Sequence, residues 1–297
     1  MITIFTSTYN RAHLLPRLYK SICKQDCMDF EWLVIDDGST DETQSLFEGW
    51  AAKNHPFPLI YQKVKNGGKQ RAINQAMNMS RGEYFFIVDS DDALAPNAVS
   101  FIKHAFETLP NGDDSFIGVS ALRVFFNGSY IHQRPQIDAT IGYVDCNNLE
   151  RSKYNLQADM AEVFYTDKLK HYKFPVWKGE TFIPEAVVWD QMALDGYNLR
   201  WFDTPIYYCE YQERGLTNSS WTLLKRNPMG YAILFNTQLK YITEGRINKV
   251  LQFISCCCLA GEYGYVIKCN SWLALPLFPV GWLISLRRRL QIKRNVT

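Results

Sequence analysis

Residues 84–88, Tyr-Phe-Phe-Ile-Val, form an unbroken apolar run that stops at three carboxylates, Asp89, Asp91 and Asp92, set around Ser90. A short continuous run of this kind predicts a strand buried on both faces. The same design recurs upstream. Residues 2–6 read as a strand followed by the polar turn Ser7-Thr8-Tyr9-Asn10-Arg11, and residues 32–35 as a strand ending in Asp36-Asp37-Gly38-Ser39-Thr40-Asp41. Residues 59–62 make a shorter strand. Leu14, Leu15, Leu18, Tyr19 and Ile22 recur at helical spacing and predict a helix over 14–24. A second helix over 42–52 can be capped by Ser39, Thr40 or Asp41. A third opens at Asn66-Gly67-Gly68-Lys69-Gln70-Arg71 and runs to Met79. The order β-α-β-α-β-α-β predicts an α/β fold with a parallel sheet and right-handed crossovers. The three polar clusters at 8–11, 36–41 and 89–92 should then share one rim, and the glycine-rich loop joins them if the sheet turns the chain back.

Beyond Pro96 the pattern predicts a helix over 97–109, a turn at 111–114 and a strand over 116–126 with Asn127-Gly128 as a hairpin signal. Residues 159–172 mix both periodicities and predict no element. A helix is expected from about Pro184 to Leu194, a strand over 199–211, and helices over 228–241 and 247–267. Residues 272–286 carry no charge, and Arg287, Arg288, Arg289, Lys293 and Arg294 follow. As a helix that run spans about 22 Å against about 30 Å of hydrocarbon, and Pro276 and Pro279 disfavour a straight span. A buried terminal hairpin is one reading. The preferred one is a segment in the membrane interface, Trp272 and Trp282 at headgroup depth and the arginines on anionic lipid.

Composition narrows the classes. The 297 residues are 47% hydrophobic and 14% aromatic, as in a folded protein. The net charge of +2 gives no electrostatic case for nucleic acid. The first ten residues read as a strand rather than a leader, and eight cysteines without a CxxC pair read as reduced, buried thiols of a cytoplasmic protein.

Three carboxylates at a strand end raise one another's pKa unless a cation lies among them. Mg²⁺ or Mn²⁺ takes one or two carboxylates plus substrate phosphates. The alternative is an acidic turn in which Asp92 caps the helix after Pro96. Asp36 and Asp37 can accept hydrogen bonds from a base or ribose, or serve a plain β-turn. Lys69 and Arg71 can support phosphate charge or start a solvated helix. Taken in this order at these strand ends, the inventory fits a nucleoside diphosphate carrying a transferable group.

The segments FTSTYNR, WLVIDDGSTDET, NGGKQRAINQA and RGEYFFIVDSDD resemble the family 2 glycosyltransferases, closely over residues 1–95 and more loosely to about 218. The resemblance implies a GT-A α/β nucleotide-sugar-binding domain over 1–220, with a mixed, mostly parallel sheet flanked by helices. A helical extension over 221–297 would end in the apolar-basic tail. It implies that Thr8 and Asn10 line the nucleotide pocket with Arg11 beside them. Asp37 would contact the nucleoside with Asp36 supporting the turn, Asp89 would face the ribose, and Asp91 would hold a divalent cation, Mn²⁺ or Mg²⁺. Lys69 and Arg71 would lie near the donor, and Arg214 would contact phosphate. The family often places a Glu-Asp pair at a helix start as general base. This chain has Pro184-Glu185 instead, so Glu185 takes the base position with Asp190 as its competitor.

The implied activity is inverting transfer of a sugar from a UDP-sugar to a hydroxyl of a glycan or lipid-linked oligosaccharide, in surface polysaccharide synthesis at the inner membrane face. Residues 272–294 would make the peripheral membrane contact. Two alternatives stay open: a nucleotidyltransferase that forms the sugar nucleotide, and a catalytically silent membrane-associated scaffold of the same fold.

Overall fold

The computed structural model describes residues 1–210 and 220–294. They form two compact units: Met1–Lys173 with Met192–Glu210, and Phe174–Gln191 with the described part of Tyr211–Thr297. The expected boundary at 220 would have left residues 174–191 with the first unit.

The first unit is built on a nine-stranded sheet among the described residues. Strands β1 (Ile2–Thr8), β2 (Phe30–Asp36), β3 (Leu59–Lys63) and β4 (Tyr84–Ile87) pair in parallel in the order β3-β2-β1-β4. All seven residues of β2 are buried, which is why its sequence runs apolar without alternation. Helices α1 (Leu15–Ile22), α2 (Thr43–Ala51) and α3 (Lys69–Met79) make the crossovers. The short β5 (Ala93–Leu94) and helix α4 (Ala98–Glu107) follow. Asn97, not Asp92, precedes the first turn of α4.

The later strands make the sheet mixed. They are β6 (Phe116–Phe125), β7 (Tyr143–Cys146), β8 (Met160–Tyr165) and β9 (Asn198–Cys209). β8 lies between β4 and β6, antiparallel to both, while β6 and β9 run parallel. β7 and β5 pair antiparallel with different ends of β9. β8 falls in the stretch without a sequence assignment, and a short helix, α5 (Thr166–Leu169), follows it. Asn127-Gly128 does turn the chain: Phe125 N donates to Ser129 O at 2.9 Å, and one bridge forms between Val124 and Tyr130. Ile2, Ile4, Leu18, Phe86, Val99, Ile102 and Ile206 share the core between sheet and helices.

Helix α6 (Ala186–Leu194) starts in the second unit and ends in the first. The second unit is helical: α7 (Ser220–Arg226), α8 (Pro228–Gln238), α9 (Arg246–Ala260) and α10 (Ala274–Arg294). Buried Glu180 accepts the Met229 and Gly230 amides at 2.7 and 2.8 Å, satisfying donors in the first turn of α8. Cys256, Cys257 and Cys258 are wholly buried among Met229, Val250, Phe253 and Ile254, and all are free thiols. Burial pushes the Cys256 thiol up to about 12.

The tail is one helix rather than a hairpin. Pro276 falls in the first turn of α10, where a missing amide costs nothing, and the helix continues through Pro279. Gly281 lets α10 approach α9, since a Cβ there would lie 2.6 Å from Ile254 Cγ2. Arg288 donates to Ser255 and Gln252, and Arg289 to Cys258 O, so these two arginines serve the packing of α9 instead of facing outward together with Arg287. The opposite face leaves Trp272, Leu275, Val280, Leu283 and Leu290 exposed, Trp272 at 78%. No helix of the described residues is long and apolar enough to cross a membrane.

Candidate active site

The carboxyl ends of β1, β2 and β4 meet on one rim, tied together by the polar residues that end them. After β1 the chain takes a left-handed turn at Asn10, φ 53°. Asn10 N donates to Ser39 Oγ at 2.9 Å, its Oδ1 accepts from Thr40 N at 2.7 Å, and Ala12 N donates to Asp41 Oδ2 at 2.9 Å. Asp41 Oδ1 also accepts from Thr43 N at the start of α2. Thr8 is buried, and its Oγ1 makes no hydrogen bond among the described residues.

Asp36 and Asp37 are adjacent and do different work. Asp36 is fully buried; it accepts from Ser39 N at 2.7 Å and Tyr61 Oη at 2.5 Å, and so supports the turn. Asp37 reaches the glycine-rich loop, accepting from Gly67 N at 2.7 Å and Gly68 N at 2.8 Å. Asn66 Nδ2 adds a bond to the Asp37 carbonyl at 2.8 Å. Burial raises the Asp37 pKa, and the two amides offset part of that rise. Gly38, φ 84°, lies under this loop; a Cβ there would be 2.9 Å from Asn66 N. The loop thus joins the rim and delivers Lys69, whose Nζ lies 2.6 Å from Asp89 Oδ1. Arg71 turns back to the carbonyl of Gly67.

The acids after β4 divide sharply. Asp89 Oδ1 pairs with Lys69 and its Oδ2 with Arg123 of β6 at 3.0 Å. Burial alone would raise its pKa, but the two cations outweigh it and hold the carboxyl well below its usual range. Asp91 pairs with Arg11, Oδ2 to Nη1 at 2.7 Å, while Arg17 donates to the Asp91 carbonyl. Asp92 is buried and accepts from Tyr207 Oη at 2.8 Å; Tyr207 Oη in turn accepts from Asp89 N at 2.8 Å. Burial, then the Asp89 charge, push the Asp92 pKa up to about 7. The expected mutual repulsion shows on Asp92. Lys69 and Arg123 pair with Asp89 and Arg11 with Asp91, and the Arg123 guanidinium also sits over the Tyr207 ring at 4.1 Å.

The model for "Glycosyl transferase family 2" matches residues 3–169, a stretch containing every element of this rim except β9. The chain belongs to that family. Abequosyltransferase RfbV of Salmonella typhimurium is 33% identical over 106 residues, 35% of this chain and 32% of the relative. The chain spans about a third of the length of the first curated relatives, 33%, 32% and 37%. Among solved structures, S. aureus TarS 1–349 in complex with UDP-GlcNAc is similar at TM-score 0.60 and 17% identity, over 97% of this chain and 88% of that one. The mannosyltransferase PcManGT of Pyrobaculum calidifontis, in complex with GDP-Man and Mn²⁺, is similar at TM-score 0.54 and 19% identity, over 98% of this chain and 82% of that one. At these identities the likeness is one of fold, and it is the GT-A fold that the resemblance implied.

The rim of this family 2 chain brings together Thr8, Asn10, Arg11, Asp36, Asp37, Lys69, Asp89 and Asp91, with Arg71 on the loop beside them. Arg123 and Tyr207 were not singled out by sequence; they reach the rim from β6 and β9. In the second unit, Glu185 precedes α6, and its carbonyl accepts from Val188 N at 2.8 Å. Asp190 is buried there and accepts from Tyr241 Oη at 2.8 Å. Arg214 lies outside the described residues.

Asp91 is the acid of the rim that fits a divalent cation. Its Oδ1 accepts no hydrogen bond among the described residues, and its side chain is 21% exposed. No group of three or more His, Cys, Asp or Glu among the described residues could hold a metal by itself. One carboxylate oxygen suits Mg²⁺ or Mn²⁺, which complete their shells with phosphate oxygens and water. Asp89 is less suited, because both of its oxygens are paired.

Proposed function

We propose that the chain is an inverting glycosyltransferase that moves a sugar from a UDP-sugar to a hydroxyl of a glycan or lipid-linked oligosaccharide in surface polysaccharide synthesis. The observation that carries the proposal is the convergence of Asp37, Lys69, Asp89 and Asp91 on one rim at the carboxyl ends of β1, β2 and β4, where ligands of open α/β sheets bind. The names of the similar structures, one holding UDP-GlcNAc and another GDP-Man with Mn²⁺, support a sugar-nucleotide donor and a divalent cation. RfbV, named as an abequosyltransferase, supports transfer of a sugar.

In this reading Asp37 and Asp89 face the nucleoside, and Thr8 Oγ1, buried without a partner among the described residues, supplies a hydroxyl toward the base. Arg11, Lys69 and Arg71 support the diphosphate, with Arg214 a further phosphate contact. Asp91 holds the cation, which as a Lewis acid would stabilise charge on the leaving diphosphate. Glu185 is the base that takes the acceptor's proton, and the hydroxyl attacks the anomeric carbon from the face opposite the diphosphate. Asp190, buried against Tyr241, is the weaker candidate.

The exposed apolar face of α10 lies along the membrane interface at the inner face of the cell membrane, close to a lipid-linked acceptor. The arginines within α10, together with the absence among the described residues of a helix long and apolar enough to cross, support an orientation in the plane of the surface.

Calorimetric titration of UDP, GDP and CDP, each with and without Mn²⁺, tests the donor half. Metal-dependent UDP binding that is lost in Asp91→Asn is expected. Failure of the folded protein to bind any nucleotide would overturn the proposal.

A further inference from the structure

Arg11 and a divalent cation compete for the same carboxylate. The 2.7 Å bond between Arg11 Nη1 and Asp91 Oδ2 occupies one of the two oxygens that Asp91 can offer. A dication beside that oxygen would face the guanidinium charge at close range, where like charges repel. The pair is not sealed from solvent, since the side chains are 28% and 21% exposed. Their backbones, by contrast, are pinned. Asn10 and Ala12 on either side of Arg11 are bonded to Ser39, Thr40 and Asp41, and the Arg11 carbonyl accepts the Leu14 and Leu15 amides. The Asp91 carbonyl is held by Arg17. Only the two side chains are therefore left to move, and that of Arg11 has the longer reach.

We infer that Arg11 is a latch on Asp91, released when a diphosphate takes the guanidinium and leaves the carboxylate to the cation. A guanidinium binds a phosphate through two parallel hydrogen bonds, so the diphosphate is a stronger partner than one carboxylate oxygen. Nucleotide and metal then bind cooperatively. Linkage requires the factor by which UDP tightens Mn²⁺ to equal the factor by which Mn²⁺ tightens UDP. The inference rests on the donor-site reading above and adds an order to it: the site resists the cation until the nucleotide arrives.

The test is titration of Mn²⁺ alone, followed by electron paramagnetic resonance, on the wild type, Arg11→Gln, Arg11→Lys and Arg11→Gln/Asp91→Asn. Arg11→Gln should bind Mn²⁺ about tenfold more tightly than the wild type, Arg11→Lys should fall between them, and the double variant should lose the gain. UDP should strengthen Mn²⁺ binding in the wild type by about tenfold and clearly less in Arg11→Gln. Mn²⁺ affinity of Arg11→Gln that is equal to or below that of the wild type, or too weak to detect, would overturn the latch, as would a gain that survives in the double variant. If UDP fails to bind the wild type at saturating Mn²⁺, the donor-site reading falls, while the comparison in Mn²⁺ alone still decides the latch.

Discussion

Arg123 Nη1 lies 3.0 Å from Asp89 Oδ2, a pair that joins β6 to the end of β4 across 34 positions of sequence. Arg123 is only 13% exposed, and its Nε is bonded to the Met160 carbonyl at 2.7 Å. Replacing it with Gln leaves Asp89 paired with Lys69. Removing one member of such a half-buried, charge-assisted pair costs about 2 kcal/mol. Urea denaturation of Arg123→Gln should show that loss; a change below about 0.5 kcal/mol would mean that the pair contributes little.

The pH dependence of stability should carry the signature of Asp92. Its folded pKa of about 7 stands above the ordinary value of 3.8. Between those two values the native state binds the extra proton, so the contribution of this group to stability is present below about pH 4 and lost as the pH rises through 7. Asp89 has the opposite sign, its contribution being lost as the pH falls below 3.8. Asp92→Asn keeps an acceptor for Tyr207 and removes the proton. The stability of the wild type relative to this variant should fall on the order of 3 kcal/mol from pH 4 to 7. Parallel urea midpoints across that range would refute the assignment.

Gly38→Ala should be costly and Gly112→Ala mild. Both glycines have positive φ, 84° and 74°, but only at Gly38 does a Cβ meet backbone, 2.9 Å from Asn66 N. The expected losses are about 3 kcal/mol and about 1 kcal/mol. Thermal unfolding of the two variants measures the difference. UDP affinity should fall in Gly38→Ala alone, because the displaced loop carries Lys69.

Glu185→Gln should reduce sugar transfer by at least about a thousandfold and leave UDP affinity within about twofold. Asp190→Asn should keep most of the transfer rate and lose about 1 kcal/mol of stability through the bond to Tyr241. Transfer by Glu185→Gln at near the wild-type rate would move the base elsewhere.

Trp272, Leu275 and Leu283 are exposed, so replacing all three with Ser should not unfold the second unit. Sedimentation with vesicles rich in phosphatidylglycerol should show binding by the wild type and at least tenfold weaker binding by the triple variant. Equal sedimentation of both would remove α10 from the membrane reading.

What could be read from the sequence is what lies close together along it. The apolar run of β4 and the acids ending it are contiguous, so strand, rim and carboxylates were legible at once, as was the glycine-rich loop preceding α3. Arg123 and Tyr207 were not. Each sits in a long strand that reads as packing, and Tyr207 meets Asp92 from 115 positions away. β8 was hidden because it is mostly buried between antiparallel neighbours, leaving no clean alternation to mark it. The single helix of the tail was hidden by its prolines: Pro276 occupies a turn with no amide to lose, and α10 gains enough from packing on α9 to carry Pro279.

The three adjacent thiols of α9 make the second unit its own stopwatch. With Cys256, Cys257 and Cys258 wholly buried, an alkylating reagent reaches them only when α9 opens, so the rate of labelling times that opening. Cys146 and Cys209, buried in the first unit, keep time for the sheet. One reagent, read site by site by mass spectrometry, would reveal whether the two units open together or each on its own.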